Sequence, residues 1–177
     1  MVRISREENY FTFIANCAPD ASVTLGDARL TLAEVPDDQY DIIIIDAFSS
    51  DAIPIHLLTR EAMEIYLRKT LPTGMIVLHV SNRHLELSSV VAGIADANGA
   101  ETRVQVDDTG DDDNNEEEYS DAAYRFSSNV AVVARNEEAF GELATRKSWE
   151  VMEPDPEQWV WTDDYSNIIG ALVRNMR

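Results

Sequence analysis

The chain has one cysteine, two lysines and three histidines among its 177 residues. It also has no apolar run near the length of a membrane span. The single cysteine, Cys17, excludes an intrachain disulfide. It falls in an apolar helical stretch with nothing beside it to depress a thiol pKa, so the expectation is a packing residue rather than a reactive thiol. With no signal-peptide pattern and no long hydrophobic segment, the sequence reads as soluble and cytoplasmic. His56, His79 and His84 do not fall at a metal-ligand spacing, and no cysteine pair supports zinc. The acidic stretch around Asp107-Asp108-Thr109-Gly110 lacks the spaced ligands of a calcium loop. No metal site is expected.

Basic residues are scarce as a class. Fourteen Lys and Arg stand against 33 Asp and Glu, a formal charge of −19 with a pI near 4.3. Nucleic-acid affinity rests on Lys and Arg displacing counterions, so a nucleic-acid partner is excluded. An acidic surface draws cationic ligands, polyamines among them, by long-range attraction, and adaptation of the source to high salt accounts for the same excess. Hydrophobic residues make up 45% of the chain, enough for one globular domain over residues 1–177, burying roughly 70% of its unfolded surface.

Ser5 followed by Glu8 forms a capping-box pattern, and Tyr10, Phe13, Ile14 and Cys17 recur at helical spacing up to Pro19. Ser22 to Leu25 alternates like a strand and ends at Gly26-Asp27-Ala28, with a helical turn over Leu30 to Val35. Tyr40 to Asp46 holds four consecutive isoleucines, the composition of a central strand covered on both faces. Thr59 offers an N-cap to a helix with Met63, Tyr66, Leu67 and Leu71 on one face, stopping at Pro72-Thr73-Gly74. A second buried strand spans Met75 to Val80. A helix through Leu87, Val91, Ile94 and Ala95 closes at Asn98-Gly99, and a strand over Glu101 to Val106 follows. Residues 107–121 are almost wholly acidic and polar, which predicts a mobile loop. Asn129 to Ala134 reads as a strand and Glu137 to Trp149 as a helix. A Pro154/Pro156 turn leads to a tail whose last apolar segment is Ile168 to Val173.

Strands alternating with helices predict an α/β fold with a mostly parallel sheet, whose ligands bind beyond the carboxyl ends of the strands. Three segments occupy such ends: Gly26 to Arg29, Asp46 to Pro54, and His79 to His84. Asp46 ends an all-apolar strand, where a carboxylate is costly unless it is paired, meets a helix terminus or does chemistry. Asp51 follows in a serine-containing loop. Two carboxylates at one strand end suit a cationic amine, one accepting its proton and the other holding a second ammonium group. Asp27 is placed either to accept hydrogen bonds from a nucleobase amine or to cap the helix after it. His79, within a strand, has the ordinary reading of a satisfied core histidine, while the loop residue His56 is a candidate substrate contact. Trp159, Trp161 and Tyr165 suit a hydrophobic latch, and Asp163 and Asp164 beside them suit an amine-binding lip.

The segment Asp46-Ala47-Phe48-Ser49-Ser50-Asp51-Ala52-Ile53-Pro54-Ile55-His56-Leu57-Leu58 resembles the spermidine synthase family. So do Gly26-Asp27-Ala28, His79-Val80-Ser81-Asn82-Arg83 and Trp161-Thr162-Asp163-Asp164-Tyr165, in the same order. The resemblance covers nearly the whole chain and is to the spermidine-synthase-like branch. It implies a Rossmann-like, methyltransferase-type sheet and aminopropyl transfer from decarboxylated S-adenosylmethionine, a co-substrate rather than a tightly bound cofactor, to a diamine. In these terms Asp46 is the general base and Asp51 a diamine ligand. Gly26, Asp27 and Ala28 meet the adenine, with His56, Asp163, Asp164 and Tyr165 on the substrate side. Phe126 takes the place of a family tyrosine beside the diamine, so one polar contact is absent there and specificity for putrescine is left open.

The family's first strand, glycine-rich loop and second strand would all precede Met1, which describes an amino-terminally truncated version of the fold. A sheet so truncated closes its gap, pairs with another chain or stays incomplete, and its exposed edge favours a homo-oligomer. Two further readings stand beside aminopropyl transfer: an S-adenosylmethionine-dependent methyltransferase, and a noncatalytic binding or oligomerisation domain.

Overall fold

The computed structural model describes residues 2–7, 9–47, 54–82, 84–107 and 128–174. It divides into two compact units, residues 1–34 and residues 35–177.

The first unit carries three short helices, α1 (Val2–Ser5), α2 (Phe13–Cys17) and α3 (Ala28–Ala33), none with a buried residue. The capping-box expectation fails here: Ser5 lies inside α1 and its hydroxyl donates to the Val2 carbonyl at 2.9 Å, while Glu8 lies outside the described residues. Residues 21–25 form no strand. Their alternation lacked a ladder partner, and Val23 and Leu25 are exposed. Cys17 is exposed rather than packed.

The second unit is a five-stranded sheet in the order β1-β2-β4-β3-β5. Its strands are β1 (Tyr40–Ile45), β2 (Thr70–His79), β3 (Glu101–Asp107), β4 (Ser128–Ala134) and β5 (Glu150–Val151). β1 and β2 pair in parallel, and β4 runs antiparallel to both β2 and β3. Three strands, β1, β2 and β3, therefore share one direction. The acidic segment expected from residue 107 begins with the last residue of β3, and residues 108–121 lie outside the described residues.

Register decides which residues share a layer. Ile43 stands opposite Ile76, which in turn faces Val133, while Leu78 faces Ala131. These residues are buried, as are Ala62, Met63, Tyr66 and Leu67 of α4 (Arg60–Lys69) and Val90, Val91, Ile94 and Ala95 of α5 (Ser88–Asp96). On the opposite face Val132 and Ala134 pack with Ala139 and Phe140, against Met75 and Val77. Ala139 and Phe140 belong to a 3-10 segment, Glu137–Thr145. The α-helix expected through Trp149 is not formed, because Gly141 at φ 55 breaks the segment and the chain leaves it after Thr145.

β1 is not central among the described strands. It pairs only with β2 and stands at the edge of the sheet. Ile43 is buried, whereas Ile42 and Ile44 are 50% and 69% exposed. Four isoleucines in a row carry no alternation, so their pattern could not tell one covered face from two.

Two contacts fix the entry to β1. Gly74 lies against the β1 backbone so closely that a Cβ would meet the Asp41 and Tyr40 carbonyl oxygens at 2.8 and 2.9 Å. Lys69, at the end of α4, is buried and donates its ammonium to the Val35 carbonyl at 2.5 Å and to Asp37 Oδ1 at 2.6 Å. A buried ammonium is tolerated only when so paired. The Lys69 hydrogen bond holds the Asp37 carboxyl below its ordinary value of 3.8, with Arg68 adding to the effect.

Gly74→Ala forces backbone to move and is expected to cost about 1–3 kcal/mol in urea unfolding. The depressed Asp37 carboxyl gives stability that is fully present above 3.8 and lost as pH falls through its lower native value. Asp37→Asn should therefore lower the melting temperature at neutral pH, and melts taken at successively lower pH should converge on wild type.

Candidate functional site

The carboxyl ends of β1 and β2 lie side by side because the strands are parallel and in register up to Ile45↔Leu78. The next residue of each strand carries a polar side chain, and these two meet: His79 Nδ1 is 3.1 Å from Asp46 Oδ1. The other ring nitrogen, Nε2, is 2.8 Å from Ser81 Oγ. Ser81 Oγ accepts the Asn129 backbone N–H at 2.7 Å at the head of β4. Asp46 is thus the near end of a chain of hydrogen bonds running into the sheet. Its side chain is 68% exposed and that of His79 39%.

The expectation of a core histidine is therefore wrong in its surroundings and right in its satisfaction. His79 is half-exposed and bonded at both nitrogens. The signal that could have found the pair was positional: parallel strands of matched register bring the residues at their carboxyl ends together.

A small apolar pocket lies beside this pair, lined by Ile45, Ala47, Pro54, Leu57, Leu58, Leu78 and His79. The 3-10 turn Ile55–Leu57 forms one wall. It is held from below by Tyr66, whose buried hydroxyl donates to the Leu57 carbonyl at 3.1 Å. His56 sits on this turn with an exposed side chain. Beyond β2, Asn82 Oδ1 accepts the backbone N–H groups of His84 and Leu85, each at 2.9 Å, turning the chain toward α5.

The tail segment is strapped to the start of α4. Thr59 is the N-cap, accepting the Ala62 N–H at 3.2 Å, and its hydroxyl donates to Asp163 Oδ1 at 2.8 Å. The Arg60 N–H donates to the Trp161 carbonyl, and the Asp163 N–H to Glu61 Oε2 at 3.0 Å. Burial raises the Glu61 carboxyl, yet the hydrogen bonds from its own backbone N–H, from Arg60 and from the Asp163 N–H outweigh it and leave the group below its ordinary value. Trp161 is buried. Trp159 and Tyr165 are exposed and meet at a tilt of 50°, 6.0 Å between centroids. Asp164 is exposed.

In the first unit, Asp27 caps α3, accepting the Leu30 N–H at 3.0 Å. Gly26 precedes it at φ 150, where an added Cβ would meet the Thr31 methyl at 2.9 Å. Of the two readings of Asp27, the capping one is on view. Asp51 and Phe126 lie outside the described residues. No group of three or more His, Cys, Asp or Glu suited to a metal ion occurs among the described residues. No helix among them is long and apolar enough to cross a membrane.

No protein-family model and no curated protein matches the sequence. Solved structures do. A probable spermidine synthase from Corynebacterium glutamicum superposes with a TM-score of 0.57 at 16% identity, over 93% of this chain. The fold is similar to that of a spermidine synthase. The chain spans 61% of the length of that structure. Two others match less well, each with a TM-score of 0.44: MNMC2 from Aquifex aeolicus, 21% identical over 73% of this chain and 38% of its own, and an Archaeoglobus fulgidus SAM dependent methyltransferase, 16% identical over 76% and 80%. The architecture is thus Rossmann-like α/β, with Asp46 and His79 at the carboxyl ends of adjacent parallel strands, where ligands of such sheets bind.

The strap makes a direct prediction. Thr59→Ala removes an N-cap and the Asp163 tie together, and should cost about 1–2 kcal/mol in thermal or urea unfolding. Thr59→Ser, which keeps the hydroxyl, should stay close to wild type.

Proposed function

We propose that this chain is the acceptor side of a spermidine-synthase-like aminopropyltransferase, with Asp46 as the general base. In this reading a primary amine of a diamine attacks the methylene next to the sulfonium of decarboxylated S-adenosylmethionine. The new C–N bond forms as the C–S bond breaks, methylthioadenosine leaves as a neutral thioether, and the amine's proton passes to the Asp46 carboxylate. The observation that carries the proposal is the exposed Asp46 carboxylate held by His79 at the end of β1, on a fold similar to that of a spermidine synthase.

Other residues support it by their chemistry. A net charge of −19 attracts polyamines to the surface before they reach the site. The lining beside His79 is apolar, as the methylene groups of such an amine require of the surface they pass. Asp51 and Asp164 are assigned to the distal ammonium group, together with Tyr165 and His56. Gly26, Asp27 and Ala28 are assigned to the adenine. Asp163, whose Oδ1 accepts the Thr59 hydroxyl, is assigned with Asp164 to the amine-binding lip.

A noncatalytic, self-associating domain is the second reading, and the exposed Ile42 and Ile44 at the β1 edge favour it.

Calorimetric titration with methylthioadenosine, S-adenosylmethionine and putrescine separates the two. The aminopropyltransferase reading expects nucleoside binding that is lost in Asp27→Ala and in Asp27→Ser, the latter keeping an N-cap oxygen for α3. It expects turnover with decarboxylated S-adenosylmethionine to fall by roughly 10²–10⁴-fold in Asp46→Asn. Silence toward every ligand, with association detected by ultracentrifugation, would leave the noncatalytic reading.

A further inference from the structure

The hydrogen bonds around His79 have one consistent direction when its ring is neutral. An ionised carboxylate can only accept, so the 3.1 Å contact with Asp46 Oδ1 places the proton on Nδ1. Nε2 is then the acceptor, and the Ser81 hydroxyl 2.8 Å away donates to it. Ser81 Oγ in turn accepts the Asn129 N–H at 2.7 Å. The rival acceptor for the hydroxyl is the Asn129 carbonyl, which is 3.4 Å away and already takes the Val80 N–H at 2.9 Å. Every proton in the sequence Asn129, Ser81, His79, Asp46 therefore points toward the carboxylate.

The origin of this chain lies in the ladder. Val130 pairs with His79 across β2 and β4, so Asn129 and Ser81 are fixed by the sheet backbone next to the ring they orient. Asp46, by contrast, stands one residue beyond β1 on an exposed edge strand. Left to itself, such a carboxylate rotates among several orientations. Among the described residues its hydrogen-bond partner is the ring of His79, which leaves Oδ2 to an incoming amine.

We propose that His79 is the positioning residue for Asp46, and that Ser81 sets the ring so that Nδ1–H faces the carboxylate. This rests on Asp46 being the base. It adds a division of labour: Asp46 takes the proton, while His79 and Ser81 keep one carboxylate oxygen occupied and the other aimed.

Imidazole nitrogen NMR tests the link without any turnover. With three histidines in the chain, His56→Gln and His84→Gln complete the assignment. Spectra are taken well above the ordinary imidazole pKa of about 6.5. Free histidine favours the Nε2–H tautomer, so an Nδ1–H tautomer at His79 that reverts when Asp46→Ala and Ser81→Ala are combined is the expected result. An Nε2–H tautomer in the wild type, or Nδ1–H persisting in the Asp46→Ala, Ser81→Ala double variant, would overturn the inference.

Kinetics with decarboxylated S-adenosylmethionine and a diamine test the consequence. His79→Ala should lower kcat on the order of 100-fold with KM little changed. His79→Asn, whose amide N–H stands in for Nδ1–H, should recover most of the loss. An unchanged kcat in His79→Ala also overturns the inference. Absence of turnover in the wild type removes Asp46 as the base, and the tautomer measurement then decides by itself whether His79 holds that carboxylate.

Discussion

The parallel pairing of β1 with β2 is the constraint on which the rest of the second unit depends. It is the sole parallel contact among the described strands, and each of its ends has been put to use. At the entry, Gly74 lets the two backbones approach, and the buried Lys69 ammonium ties the end of α4 to Val35 and Asp37. At the exit, the matched register sets Asp46 beside His79. An antiparallel pair would have put the exit of one strand beside the entry of the other, and the two side chains could not have met.

The same pairing explains how two lysines suffice in so acidic a chain. Lys69 is buried where an ammonium bonded to a carbonyl and a carboxylate joins three segments at once. Its worth lies in ordering the approach to β1 rather than in offsetting surface charge, which one cation cannot do against −19. The acidic excess is left to act at long range, while Lys69, Thr59 and Ser81 make short-range polar contacts from buried or half-buried positions.

Much of this was legible from residues. β1, β2, β3 and β4 follow from their β-branched runs, and α4 and α5 from apolar residues at helical spacing after Thr59 and before Asn98-Gly99. Asp46 stood out because a carboxylate after four isoleucines needs a reason. What failed shares one cause: a local pattern does not say what lies beside it. Ser22 to Leu25 alternates yet forms no ladder, and Ser5 with Glu8 matches a cap yet Ser5 sits inside α1. His79 looked like core, because its exposure depends on how β1 ends, 33 residues earlier in the chain. Ser81 was invisible as a ring-orienting group until the antiparallel β4 brought Asn129 to it.

β1 is where pattern and architecture diverge most. Register puts Ile42 opposite Met75 and Ile44 opposite Val77, so both isoleucines continue the layer in which Met75 and Val77 pack against Phe140 and its neighbours. That layer stops one strand short. Phe140 and Ala139 cover β2 and β4 and leave the β1 side open, so Ile42 and Ile44 are exposed while Ile43, on the other face, is buried. The strand thus has the composition for two covered faces and, among the described residues, has one. An apolar face and an unpaired backbone edge on the same strand are each unfavourable in water, and natural sheets usually blunt such an edge with a lysine, a proline or a bulge turned outward. Residues 42–45 carry none of the first two, and the irregularity in the β1 ladder lies before Ile42. The sequence of β1 therefore suits a strand with neighbours on both sides, and the carboxylate at its end suits a site in the interior of a sheet rather than at its margin.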